Sequence, residues 1–144
     1  MPNLIDVYSD GSGNTLDSDG GFGYCIVVDG LLVEEGNGYL PKATNNVAEL
    51  SGAIEGLKQL KVIIAQNQWA LPKIVLVSDS QLVLGYANGS YRCKAEHLKP
   101  LHQQLQKLYK ELNAETRWVR GHTGDVHNEK CDKLATAARE GKGK

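Results

Sequence analysis

The hydrophobic positions of this chain fall into runs with two different periods. Leu4 to Ser9 reads as a short strand, and after a glycine-rich stretch Phe22-Gly23-Tyr24-Cys25-Ile26-Val27-Val28 reads as a second. Asp29-Gly30 has the chemistry of a two-residue hairpin turn, whose central positions need positive φ, and Leu31-Leu32-Val33 begins the return strand. From Asn45 the period lengthens: Val47, Leu50, Ile54, Leu57 and Leu60 recur at helical spacing. Ile74-Val75-Leu76-Val77 is apolar throughout, which marks a central strand covered on both faces. Ser80 can cap a short helix carrying Leu82, Val83 and Tyr86. Leu98, Leu101, Leu105, Leu108 and Leu112 then step by three and four along an amphipathic helix. Arg117-Trp118-Val119 is a last short strand, and Asp125 caps a final helix with Leu134, Ala135 and Ala138 on one side. The predicted order is β-β-β-α-β-α-α-β-α, an α/β fold with a five-stranded mixed sheet flanked by helices.

Composition adds limits. The 144 residues suit one domain, expected over 1–140, with Gly141-Lys142-Gly143-Lys144 as a disordered tail. No apolar run approaches the roughly 20 residues that span a bilayer, so no membrane association is expected. The N-terminus lacks the basic and apolar regions of a secretory signal. Cys25, Cys93 and Cys131 are odd in number and far apart, against a disulfide framework or a C-x-x-C zinc site; a reducing, cytoplasmic setting follows. Nothing points to a protein partner, and a monomer is expected. The net charge of −1 counts at first against a nucleic-acid partner. Halving the chain reverses that inference. Residues 1–80 hold four Lys/Arg against ten Asp/Glu, a net of −6, whereas residues 81–144 carry +5. One half can collect cations and the other phosphates.

Three acids stand where apolar elements stop or turn over. Asp10 follows the first strand in Ser9-Asp10-Gly11-Ser12, Asp79 follows the most apolar strand in Ser78-Asp79-Ser80-Gln81, and Asp132 lies in the final helix. In open α/β sheets, sites form beyond the carboxyl ends of strands. A fourth acid, Glu49, lies in the first turn of the long helix. Each has a purely structural alternative. Asp10-Gly11 suits a turn, Asn46 and Glu49 have capping-box spacing, Asp79 could cap the helix behind it, and Asp132 could be a solvated helix acid.

Taken together, the strings Ser9-Asp10-Gly11-Ser12, Thr44-Asn45-Asn46-x-x-Glu49-Leu50, Ser78-Asp79-Ser80-Gln81 and Gly121-His122-x-Gly124-x-x-x-Asn128-Glu129-x-Cys131-Asp132 resemble type 1 ribonuclease H, in order and setting, from Leu4 to about Arg139. The resemblance implies the ribonuclease H fold and endonucleolytic hydrolysis of the RNA strand of RNA/DNA hybrids, leaving 3′-hydroxyl and 5′-phosphate ends. It implies two Mg²⁺ ions, with Mn²⁺ as a substitute. Asp10 bridges them, Glu49 and Asp79 complete one shell, and Asp132 helps hold the other. Hard cations prefer carboxylate oxygen, and two of them serve both ends of an in-line displacement. The resemblance places His122 beside the metals, as a proton carrier or in product release, roles that suit histidine as the side chain whose ordinary pKa lies near neutrality; Glu129 is a further candidate there.

On the substrate side, Gly11 and Ser12 let backbone approach a sugar. By resemblance Asn45, Asn46 and Gln81 contact the minor groove, where the 2′-hydroxyl separates RNA from DNA, while Lys42 and Thr44 grip a phosphate of the DNA strand. Lys94, Lys99, Arg117 and Arg120 are expected to attract backbone irrespective of sequence. Two departures stand out. Leu16-Asp17-Ser18-Asp19-Gly20 replaces the family's Asn-Pro-Gly turn. The basic, Trp-rich protrusion of familiar bacterial members is missing between Asp79 and the last strand, as in a compact branch. A weaker hybrid grip, offset by Arg92 and Lys94, is therefore expected. Two other functions fit the fold: a hybrid-binding module without catalysis, and a nuclease for other nucleic acids.

Overall fold

A computed structural model describes residues 2–13, 19–121 and 124–141. Strands β1 (Leu4–Ser12), β2 (Gly20–Val28) and β3 (Leu31–Leu40) form an antiparallel meander. Asp29 and Gly30 both take positive φ, 48° and 89°, as the two-residue turn requires. Helix α1 (Asn45–Asn67) crosses back to β4 (Lys73–Ser78), which pairs parallel with β1. Helix α2 (Gln81–Asn88), a short 3-10 turn (Glu96–Leu98) and α3 (Lys99–Glu111) lead to β5 (Glu115–Trp118), parallel with β4, and α4 (Val126–Gly141) closes the order. The sheet reads β3-β2-β1-β4-β5, the mixed five-stranded arrangement expected.

Side-chain alternation divides the core. Ile5, Val7, Ile26, Ile74 and Leu76 point to one face, under Leu50, Leu57 and Leu60 of α1 and Leu105 and Leu108 of α3. Tyr8, Cys25, Val27, Val75 and Val77 point to the other, against Cys131 and Leu134 of α4. The apolar run in β4 is thus filled from both sides.

Three boundaries differ from expectation. Strand β1 does not stop at Ser9 but continues to Ser12, because its ladder with β2 runs on to Ser12↔Gly21. Strand β5 ends at Trp118, before Val119. Of the tail expected from 141, Gly141 completes α4, and residues 142–144 lie outside the described ones.

Candidate active site

The extension of β1 decides where Asp10 stands. Its parallel pairing with β4 ends at Tyr8↔Val77, whereas its antiparallel pairing with β2 includes Asp10↔Gly23. Asp10 is held in a strand on one side and has run past the end of its neighbour on the other. Into that gap comes Asp79, the residue after β4.

Glu49 arrives from α1 because α1 touches β1 at Gly11. A Cβ on Gly11 would lie 2.6 Å from Glu49 Cα, so only a residue without a side chain permits this approach. The capping-box reading of Glu49 fails, since Thr44 is the N-cap and accepts from the Val47 N–H at 3.3 Å. Ser80, not Asp79, caps α2, accepting from the Val83 N–H at 3.2 Å. Neither acid caps the helix that the sequence offered it.

One oxygen from each of Asp10, Glu49 and Asp79 lies within 4.8 Å of the others. Asp10 is 7% exposed. Burial first, then the neighbouring Asp79 carboxylate, pushes the Asp10 carboxyl up from 3.8 to about 8, against the lowering effect of the Gly11 N–H donated to it at 2.8 Å; Asp132 and Glu49 add smaller repulsions. Burial and Asp79 likewise push Glu49 up to about 7. Asp132 stands outside the tight group of three, on α4, yet close enough to act on Asp10. Gly23 brings it there. A Cβ on Gly23, the cross-strand partner of Asp10, would lie 2.6 Å from the Cys131 carbonyl oxygen, so α4 rests directly on β2 beside the acid.

Around this cluster Gly11 and Ser12 are half-buried, and Asn45, Asn46 and Gln81 are exposed at the starts of α1 and α2. Lys42 is exposed in the turn before α1, with φ 53°, two residues from Thr44. His122, and most of the turn that replaces Asn-Pro-Gly, lie outside the described residues. Two expectations need correction. Arg117 does not reach out for phosphate: its guanidinium lies 3.6 Å from the buried Asp6 carboxylate and donates to Tyr8 Oη at 2.9 Å. Glu129 is exposed and lines a groove with Glu35 of β3, a groove that none of the four acids lines. The sequence reading missed Trp118, whose Nε1 donates to the Asp79 carbonyl at 3.1 Å and ties β5 to the end of β4. A lone indole thirty-nine residues from Asp79 in the chain gives no periodic signal of that bond.

Four carboxylates converging at strand ends match the residue strings of type 1 ribonuclease H, and the profile of the RNase H family matches residues 2–140. The chain belongs to the ribonuclease H family. A ribonuclease H of Trichodesmium erythraeum is 34% identical over 140 residues, spanning 94% of this chain and 88% of that one. That of Desulforamulus reducens is 36% identical over 146 residues, spanning 93% and 86%. Among solved structures, the RNase H1 of Halobacterium salinarum superimposes with a TM-score of 0.79 at 26% identity, over 96% of this chain and 99% of that one. A compost-derived RNase H1 solved with an RNA/DNA hybrid shares the fold, with a TM-score of 0.83 at 22% identity over 95% and 97%. As a ribonuclease H, the chain has a donor set suited to divalent metal: three hard oxygen ligands in one group, with proton affinities raised until a cation replaces the protons.

Proposed function

We propose that this ribonuclease H cuts the RNA strand of RNA/DNA hybrids endonucleolytically, by two-metal-ion catalysis, leaving 3′-hydroxyl and 5′-phosphate ends. The observation that carries the reading is the group of Asp10, Glu49 and Asp79 within 4.8 Å, with Asp132 at its edge. These four residues would hold two Mg²⁺ or Mn²⁺ ions, which supply activation of the attacking water, neutralisation of the phosphate and stabilisation of the departing oxygen. The chain's own part is to hold the carboxylates fixed. Asp10 is locked by the β2 ladder and the Gly11 N–H, Asp79 is tied by the Trp118 indole to its carbonyl, and Glu49 is set by the seat of α1 on Gly11.

Gly11 and Ser12 expose backbone to the RNA sugar, while Asn45, Asn46 and Gln81 read the 2′-hydroxyl side of the minor groove. Lys42 and Thr44 hold a DNA phosphate; the Thr44 oxygen accepts a helix N–H and keeps its own hydroxyl proton for that contact. His122 moves the proton or speeds release of product. Residues 1–140 act as one catalytic domain, and the three free cysteines favour a reducing compartment.

The test offers purified protein end-labelled hybrid, duplex RNA and each single strand, with Mg²⁺, Mn²⁺ or chelator, beside Asp10→Asn. Cutting confined to the RNA of the hybrid, abolished by chelator and by Asp10→Asn, is expected. Binding of hybrid without cutting in either metal would leave a binding module instead. Preferential cutting of duplex RNA would make it a nuclease for another substrate.

A further inference from the structure

Two exposed aromatic rings share a cleft that starts next to Asp79, and both are fixed in place. Trp118 is 46% exposed, and its Nε1 donates to the Asp79 carbonyl at 3.1 Å. Tyr91 is 43% exposed, its N–H donates to the Gly85 carbonyl at 3.1 Å, and its ring lies on α2 where Gly85 has no side chain. A Cβ on Gly85 would meet Tyr91 Cδ1 at 2.7 Å. An aromatic that merely fills surface needs neither anchor. Trp118 is held through its indole nitrogen and Tyr91 by packing on Gly85, and each keeps over two-fifths of its surface open to solvent.

Both rings line one cleft of 260 Å³, which also includes Gln81, two residues beyond Asp79. Ser90 and Tyr91 then belong to a wider, more polar cavity of 770 Å³, lined further on by Arg92, Lys99 and His102. The two cavities form one trough leading from Asp79 across the α2–α3 turn. No carboxylate lines either of them among the described residues. Lys99 shares its charge with Glu96 at 2.7 Å, and Arg92 adds a second cation along the same course. Ring faces first and cations after them are the pattern of a track for an unpaired nucleic-acid strand, because bases expose their faces for stacking only when unpaired, and the backbone brings phosphates at each step.

We propose that Trp118 and Tyr91 form a stacking shelf for the single strand that leaves the hybrid duplex, whose phosphates then pass Arg92 and Lys99. This rests on the nuclease reading for its location but adds a site for flanking, unpaired nucleotides. A chain without the family's protrusion would thereby favour hybrids that end in a single-stranded tail.

The test has two arms. In chelator, fluorescein-labelled octathymidine is titrated into the chain and followed by anisotropy. Binding that Tyr91→Ala and Gly85→Ala each weaken fivefold or more is expected, the range of one lost stacking contact. Gly85→Ala keeps the tyrosine and displaces it, so it separates stacking from bulk. With Trp69→Phe, Trp118 is the sole indole, and quenching of its emission by the same oligonucleotide marks the shelf itself. In Mg²⁺, KM is compared for blunt hybrid, hybrid with a DNA tail and hybrid with an RNA tail. A lower KM for one tailed form, lost in Tyr91→Ala, names the strand that uses the trough. Octathymidine binding indifferent to both variants, or equal KM for all three substrates, overturns the shelf. Failure to cut even blunt hybrid in either metal overturns the nuclease reading instead, and leaves the chelator arm to decide the shelf.

Discussion

Replacing Asp10 by Asn should make the metal-free protein more stable at neutral pH while ending its activity. The Asp10 carboxyl titrates at about 8 in the folded chain against 3.8 ordinarily, so the folded state holds that proton more tightly than the unfolded one. Stability from this group is complete below pH 4 and is lost as pH rises through about 8. Between 3.8 and pH 7 lie about three powers of ten in proton activity, each worth about 1.4 kcal/mol, which sets a ceiling of about 4 kcal/mol. Relaxation around the charged carboxylate lessens it, and about 2 kcal/mol is expected, roughly 6 °C in Tm for a chain of this length. Asn keeps an oxygen to accept the Gly11 N–H, so the substitution removes charge and little else. The assay is urea and thermal unfolding of both proteins in chelator from pH 4 to 8. The variant should equal wild type at pH 4 and exceed it progressively towards pH 8. Glu49, raised for its own reasons, still titrates in both proteins, so the difference between them is the quantity to read. Added Mg²⁺ should stabilise wild type and narrow the gap. A gap that is the same at pH 4 and pH 8, or a variant less stable throughout, would refute the account of Asp10 as a carboxylate strained by burial and like charge.

Gly11→Ala should cost about 2–3 kcal/mol, because the new methyl meets the α1 backbone rather than a movable side chain, and should lower activity beyond the loss of fold by displacing Glu49; urea midpoints beside hybrid cleavage measure both. Leu57→Ala, on the sheet-facing side of α1 and fully buried, should lower stability by about 2–5 kcal/mol with little change in the urea slope. Asp125→Ala removes the acceptor for the His127 and Asn128 N–H groups and should cost about 1 kcal/mol, read from circular-dichroism melting. Lys42→Ala should reduce the salt dependence of hybrid binding by about one in log–log slope, whereas Arg117→Ala, whose guanidinium serves Asp6 and Tyr8, should leave that slope in place.

What could be read from the residues alone follows what is local. The two periods, the Asp29-Gly30 turn and the caps Ser80 and Asp125 are set by neighbours within a few positions, and the structure has them where expected. The end of β1 is different. Whether Asp10 lies in a strand depends on Gly23, thirteen residues away across a glycine-rich stretch, and no period passes through Asp-Gly-Ser-Gly. Arg117 was misread for the same reason. Its partner Asp6 is more than a hundred residues distant, and a basic residue on a short edge strand looks alike whether it serves phosphate or a buried carboxylate. The four acids could be singled out, yet only the packing of helices on Gly11 and Gly23 explains why they meet.

The Asp29 turn also has a practical side. Its carboxylate accepts the N–H groups of Asn3 and Leu4, at 3.0 and 2.9 Å, and its own N–H returns to the Leu4 carbonyl at 2.8 Å. Asn3 and Leu4 are thereby fastened at one pole of the sheet, Leu4 lying six strand residues from Asp10, or about 20 Å at the usual rise. A tether, label or second protein joined ahead of Asn3 would leave the molecule from its far end, with the acids and the trough beside them facing the other way. Immobilising the chain by that end is therefore the orientation in which a long hybrid can still be threaded past it.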